Sequence, residues 1–164
     1  MIILGIDPGI AIVGFGVIEH VSNRFRVIDY GAITTPAHTP TVDRLNKVYN
    51  DLNEIIEKHR PDAMSIEELF FNTNSKTAIT VAEARGVLLL SAYRHNIEIA
   101  EYTPLQVKQA VTGYGRADKQ QVQQMTKALL NLEKVPKPDD TADALALAIC
   151  HAHSAFSQRL NLYK

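Results

Sequence analysis

The chain has 164 residues, of which 46% are hydrophobic and 21% charged, with a net charge of −1. That length suits one globular domain whose core needs neither disulfide nor structural metal, and the single cysteine, Cys150, can form no internal disulfide. No apolar run approaches the ~20 residues of a membrane span, and the N-terminus lacks the basic-then-apolar layout of a secretory signal. The near-neutral charge also argues against a surface that coats nucleic acid on all sides, so the expectation is a cytoplasmic enzyme or binding domain.

Met1 to Asp7 is an apolar run ending in an aspartate before Pro8-Gly9, which predicts a buried strand entering a tight turn. Ile12–Ile18 and Arg24–Thr34 read as two further strands, close enough for an antiparallel meander. Val42, Leu45, Val48, Tyr49, Leu52, Ile55 and Ile56 recur at three- and four-residue steps, an amphipathic helix stopped by Pro61. Asp62–Leu69 is a short strand, Asn72–Ser75 a polar loop, and Lys76–Arg94 a second helix. Ile97–Tyr102 is a fifth strand, and Pro104 opens a helix through Val111 that Gly113-Tyr114-Gly115 breaks. Asp118 with Gln121 forms a capping-box pair for a helix that turns Val122, Met125, Leu129 and Leu130 inward. After Pro136 and Pro138 a last helix runs from Asp140 into the region of His151. The order predicts an α/β fold, a mixed sheet with helices on both faces. One domain over residues 1–157 is expected, with 158–164 as a tail that is disordered or adds a helical turn.

Three segments each deliver a carboxylate from an apolar element. Asp7 shares a strand face with Ile3 and Gly5, and a carboxylate there needs a partner or a cation; the structural alternative is a turn-forming aspartate before Pro-Gly. Glu67 and Glu68 point to opposite faces of their strand, and Glu67 has the parity of the small residues Ala63 and Ser65. Asp139, Asp140 and Asp143 open the last helix. Capping and the helix dipole account for one aspartate there, but Asp140 and Asp143 are spaced i, i+3 on one face. Residue chemistry leaves Glu67 against Glu68, and Asp139 against Asp140, open. No lysine or arginine is placed by sequence to neutralise the whole set. Hard oxygen ligands without His or Cys suit Mg²⁺ or Mn²⁺, and two such ions ~4 Å apart are a known apparatus for phosphodiester cleavage. Basic residues outnumber acidic ones between Lys76 and Lys134, a candidate nucleic-acid face beside an acidic pocket.

Gly5-Ile-Asp-Pro-Gly9, Gly14-Phe-Gly-Val17, Ile66-Glu67, Ala84-Arg-Gly-Val87, Gln106-Val-Lys-Gln109 and Asp140-Thr-Ala-Asp-Ala-Leu-Ala146 stand in an order and spacing that resembles the RuvC family of bacterial Holliday-junction resolvases over nearly the whole chain. The resemblance implies an RNase H-like fold with a five-stranded mixed sheet. It also implies a homodimer and Mg²⁺-dependent paired nicking of four-way junction DNA, with the RuvA and RuvB branch-migration proteins as partners. It puts Asp7, Glu67, Asp140 and Asp143 on the catalytic and metal-binding positions, two ions per site, and leaves Glu68 and Asp139 as neighbours. Lys108 and Lys119 fall on basic positions that serve cleavage, and Phe70 on an aromatic that stacks on unpaired bases. Charge alone adds Arg116 and Lys76 as phosphate contacts, while Arg85 reads either as a DNA contact or as an internal salt-bridge partner. Lys119, at the first turn of its helix, is expected to share a bound phosphate with the helix N-terminus. The helix around Gly86 is apolar on more than one side, which suits a dimer contact. The rival readings are a YqgF-type RNA-processing nuclease, an actin-like or sugar-kinase ATP-binding domain, for which the chain is too short, and a non-catalytic junction-binding module.

Overall fold

The computed structural model describes residues 1–69 and 75–161, and the side chains of Ser75, Lys76 and residues 156–161 lie outside that description. In chain order the elements are β1 (Ile2–Asp7), β2 (Ile12–Val21), β3 (Arg24–Thr34), α1 (Thr41–His59), β4 (Ala63–Glu67), α2 (Ser75–Arg94), β5 (Glu98–Tyr102), α3 (Pro104–Thr112), α4 (Lys119–Leu129) and α5 (Asp139–Asn161). The five strands form one sheet in the order β3-β2-β1-β4-β5. The first three run antiparallel to their neighbours, as their short turns require, and β1-β4 and β4-β5 are parallel pairs linked by helical crossovers.

Alternation along β1 divides the core in two. Leu4 and Ile6 join Val13, Val17, Met64 and Ile66 under α1 and α2, where Val48, Leu52, Ile56, Leu88 and Ala92 meet them. Ile3 and Ile18 point the other way, into a cluster with α5 and with Val107, Val111 and Val122 of α3 and α4. Each such fully buried aliphatic side chain contributes roughly 1.5–3 kcal/mol. The helices therefore cover both faces, as the hydrophobic pattern predicts.

α5 lies closer to the sheet than ordinary side chains allow. A Cβ on Gly5 would stand 1.9 Å from the Ala144 carbonyl oxygen, and one on Gly14 would stand 2.0 Å from that of Asp140. Both glycines are thus the floor on which the N-terminal half of α5 rests, and the alanines of that helix complete the close contact. Thr141 is fully buried and its hydroxyl donates to the Gly31 carbonyl at 3.0 Å, tying the same turn to β3. Farther along, the Tyr102 hydroxyl and His151 Nδ1 share a buried hydrogen bond of 2.9 Å that joins β5 to α5.

The element order agrees with the sequence reading; β2 runs on to Val21 and several other bounds shift by one residue, and three differences bear on the site. β4 ends at Glu67, leaving Glu68 and Leu69 beyond the sheet. In α4 the inward residues are Val122 and Thr126, whereas Met125 is 40% exposed; the buried position falls on a polar threonine, which apolar periodicity does not register. α5 begins at Asp139 and continues through Asn161.

Candidate active site

β1 and β4 are adjacent and parallel, with Gly5 beside Ser65 and Ile6 beside Ile66. Asp7 and Glu67 are the next residues on each strand, so they follow on the α5 side at the same end of the sheet. Asp143 enters from the second turn of α5, which the Gly5 and Gly14 contacts hold at that height. Asp7, Glu67 and Asp143 line a cleft of about 220 Å³ together with Lys108 of α3 and Lys119 of α4. Pro104, Val107, Val122, Ala146 and Leu147 form its apolar floor and walls.

Local sequence chemistry sets the two lysines. Thr103 caps α3, its hydroxyl accepting from the Gln106 N–H at 3.2 Å while the Gln106 side chain accepts from the Thr103 N–H at 2.8 Å. Asp118 and Gln121 repeat the arrangement at α4, at 2.8 and 2.9 Å. These reciprocal caps fix where each helix begins and so aim Lys108 and Lys119 at the cleft. Lys119 Nζ lies 3.0 Å from Asp143 Oδ2 and 3.6 Å from Asp139 Oδ2. A lysine in the first turn opposes the helix dipole, and the carboxylates of α5 supply the compensation.

The electrostatics are those of a site short of positive charge. Burial raises the Asp7 carboxyl to about 8, reinforced by the charges of Glu67, Asp143 and Asp140 and opposed by Lys119. Glu67 is also raised, by burial first and then by Asp143. Asp143 is raised by burial despite its bond to Lys119. Burial works against the charge of Lys119, but Asp143 and then Asp139 outweigh it, so its pKa is raised. Asp139 is held low by Lys137, whose Nζ is 2.5 Å from its Oδ1.

Asp140 does not line the cleft, although its charge acts on Asp7. Arg116 is exposed in the turn between α3 and α4, away from the cleft lining. Lys76 is the second residue of α2 and its side chain lies outside the described residues, as do Phe70 and Phe71. Arg85 is an internal partner: its guanidinium pairs with Glu101 and donates to the Glu67 carbonyl. Asp139, read from sequence as a bystander, is a second partner of Lys119; the lysine and its acids lie on separate helices, and only tertiary packing joins them.

Among the described residues no three acidic, histidine or cysteine side chains close on one point as a finished metal cage. The carboxylates instead line one open cleft together, where their like charges repel. Their chemistry nonetheless fits a hard divalent cation: the donors are oxygens only, and burial, followed by the charges of the neighbouring carboxylates, pushes Asp7 up to about 8.

The RuvC family profile, described as crossover junction endodeoxyribonuclease RuvC, matches residues 3–151. A crossover junction endodeoxyribonuclease RuvC from Alkaliphilus oremlandii is 67% identical over 154 residues, covering 94% of both chains. Its counterpart in Alkaliphilus metalliredigens is 63% identical over 160 residues and 98% of both. Thermus thermophilus RuvC in complex with a Holliday junction substrate superposes with a TM-score of 0.90 at 35% identity, over 94% of each chain. The sheet order and these relatives agree: the chain has an RNase H-like fold and belongs to the RuvC family of crossover junction endodeoxyribonucleases.

Proposed function

We propose that the cleft of Asp7, Glu67 and Asp143 is the nuclease centre of a Holliday-junction resolvase that nicks two opposed strands of a four-way DNA junction by water attack on the phosphodiester. The observation that carries this reading is the convergence of three carboxylates from β1, β4 and α5 with two lysines on one pocket. Asp7, Glu67 and Asp143, with Asp140 beside them, would hold Mg²⁺, or Mn²⁺ in its place, two ions per site. When bound, the ions supply activation of the attacking water and stabilisation of the leaving oxygen.

The chain's own residues do the rest. A divalent cation held there would favour the ionised form of Asp7, which burial and the neighbouring carboxylates oppose in its absence. The same charge would compete with Lys119 for Asp143, and Lys119 with Lys108 would meet the anionic phosphate. The apolar floor of Val107, Val122 and Leu147 excludes bulk water from one side, which strengthens the charge interactions inside. Phe70, Arg116 and Lys76 complete the reading as DNA contacts, Phe70 by stacking on opened bases.

A homodimer supplies two such sites for a substrate of two-fold symmetry. Its support is on α2, where Ile79, Leu90 and Tyr93 are 59%, 52% and 74% exposed along one helical stripe. A Cβ on Gly86, on the same stripe, would meet nothing. Monomers seldom expose large apolar residues in such a row without a partner. RuvA and RuvB, which move the branch point, are the expected partner proteins, and the cytoplasm the expected compartment. No helix among the described residues is long and apolar enough to cross a membrane.

The test is incubation with Mg²⁺ and a synthetic mobile four-way junction, with linear duplex DNA and RNA as controls. Paired symmetric nicks in the junction are expected. Cutting confined to RNA, or junction binding without cleavage, would contradict the assignment.

A further inference from the structure

Glu67 is the last residue of β4, and the chain leaves the sheet immediately after it. The aim of a side chain at a strand end depends on what holds its final peptide. Two contacts hold this one. The Glu68 N–H donates to the Tyr102 carbonyl of β5 at 2.9 Å. From the opposite element, Arg85 Nε of α2 donates to the Glu67 carbonyl at 3.3 Å. The same guanidinium pairs through Nη2 with Glu101 of β5, and Glu101 stands beside Ile66 of β4 in the sheet register. One side chain thus ties α2, β4 and β5 together next to the cleft without lining it. The Arg85 side chain is only 14% exposed. A cation so enclosed must be paired, and the planar fork of arginine serves two acceptors in fixed geometry where lysine offers a point charge.

We propose that Arg85, held by Glu101, is a positioning residue for the nuclease reaction, fixing the Glu67–Glu68 peptide and with it the aim of the Glu67 carboxylate into the cleft. This rests on the reading of Glu67 as a cleft ligand. Outer partners of metal-binding groups typically change affinity or activity by about 10–100-fold when removed, and a displacement of ~1 Å can cost about 100-fold in rate.

The experiment compares Arg85→Ala, Arg85→Lys and Glu101→Gln with wild type, with Glu67→Gln as reference. Three quantities are read: single-turnover junction cleavage at saturating DNA, junction binding without divalent ion, and Mn²⁺ binding by electron paramagnetic resonance. Arg85→Ala is expected to cut about 10–100-fold slower and to bind Mn²⁺ about 10-fold more weakly, with unchanged junction binding. Arg85→Lys, which keeps the charge but not the fork, should fall between, and Glu101→Gln should shift Mn²⁺ binding in the same direction by less. Wild-type cleavage and Mn²⁺ affinity in Arg85→Ala would overturn the proposal, as would a loss of rate matched by an equal loss of junction binding. Should Arg85→Ala fail to fold, unchanged cleavage and Mn²⁺ affinity in Glu101→Gln would overturn it instead. Normal cutting by Glu67→Gln would refute the Glu67 reading and the proposal with it. An inactive Glu67→Gln beside a fully active Arg85→Ala would refute the role of Arg85 alone.

Discussion

Replacing Asp7 with Asn is expected to stabilise the ion-free protein while destroying its activity. Burial, then the charges of Glu67, Asp143 and Asp140, raise the Asp7 carboxyl from 3.8 to about 8. Near pH 4 and below, the group is protonated in the folded protein and costs nothing. As pH rises toward 8 the unfolded chain ionises freely while the folded one resists, so stability is lost across that window. At 1.36 kcal/mol per pKa unit the full span corresponds to roughly 5–6 kcal/mol. Relaxation of the cleft absorbs part of this, leaving about 2–4 kcal/mol by pH 8, or about 5–15 °C in melting temperature for a chain of this size. The assay is thermal denaturation in EDTA from pH 4 to 9. Wild type and Asp7→Asn should coincide near pH 4 and diverge above it, with the variant more stable. Added Mg²⁺ at pH 8 should close the gap by stabilising wild type. A variant no more stable than wild type at pH 8 would refute the account of a charge-starved cleft.

Other outcomes follow from the same geometry. Gly14→Ala puts a methyl group 2.0 Å from the Asp140 carbonyl oxygen, so α5 must shift; a loss of about 3 kcal/mol in denaturant unfolding is expected together with slower cleavage. Lys119→Ala removes the bond to Asp143 and should slow single-turnover cleavage by about 100-fold with junction affinity changed far less, as read by gel shift beside a quenched time course. Tyr93→Asp, on the exposed stripe of α2, should yield monomers by sedimentation and replace paired nicks with single ones.

The fold was legible because its signals are local. Apolar runs bounded by turn residues gave the strands, the Asp118–Gln121 pair located the start of α4, and parity placed the Asp7 carboxylate on the strand face of Ile3 and Gly5, the face that α5 covers. Thr103-Pro104-Leu105-Gln106 carried a capping box that was equally readable and went unread. What stayed hidden depends on contacts between distant segments. Gly5 and Gly14 look like strand glycines until α5 is seen resting on them. Lys119 looks like a solvated helix-start lysine until Asp143 and Asp139 arrive from another helix. Parity favoured Glu67 over Glu68, but the choice needed the β1–β4 register, which no local pattern encodes. Asp140 acts on Asp7 through its charge without lining the cleft, and Asp143 is the residue of that pair that lines it.

The proposed role of the cleft carboxylates is to perform the cleavage and not merely to support DNA binding. The most direct measurement is single-turnover cutting of a synthetic four-way junction in Mg²⁺ by wild type and Asp7→Asn, with junction affinity measured on the same preparations. The expected result is paired symmetric nicks from wild type, no detectable nicks from Asp7→Asn, and equal affinities. Cleavage by Asp7→Asn at a wild-type rate would contradict it.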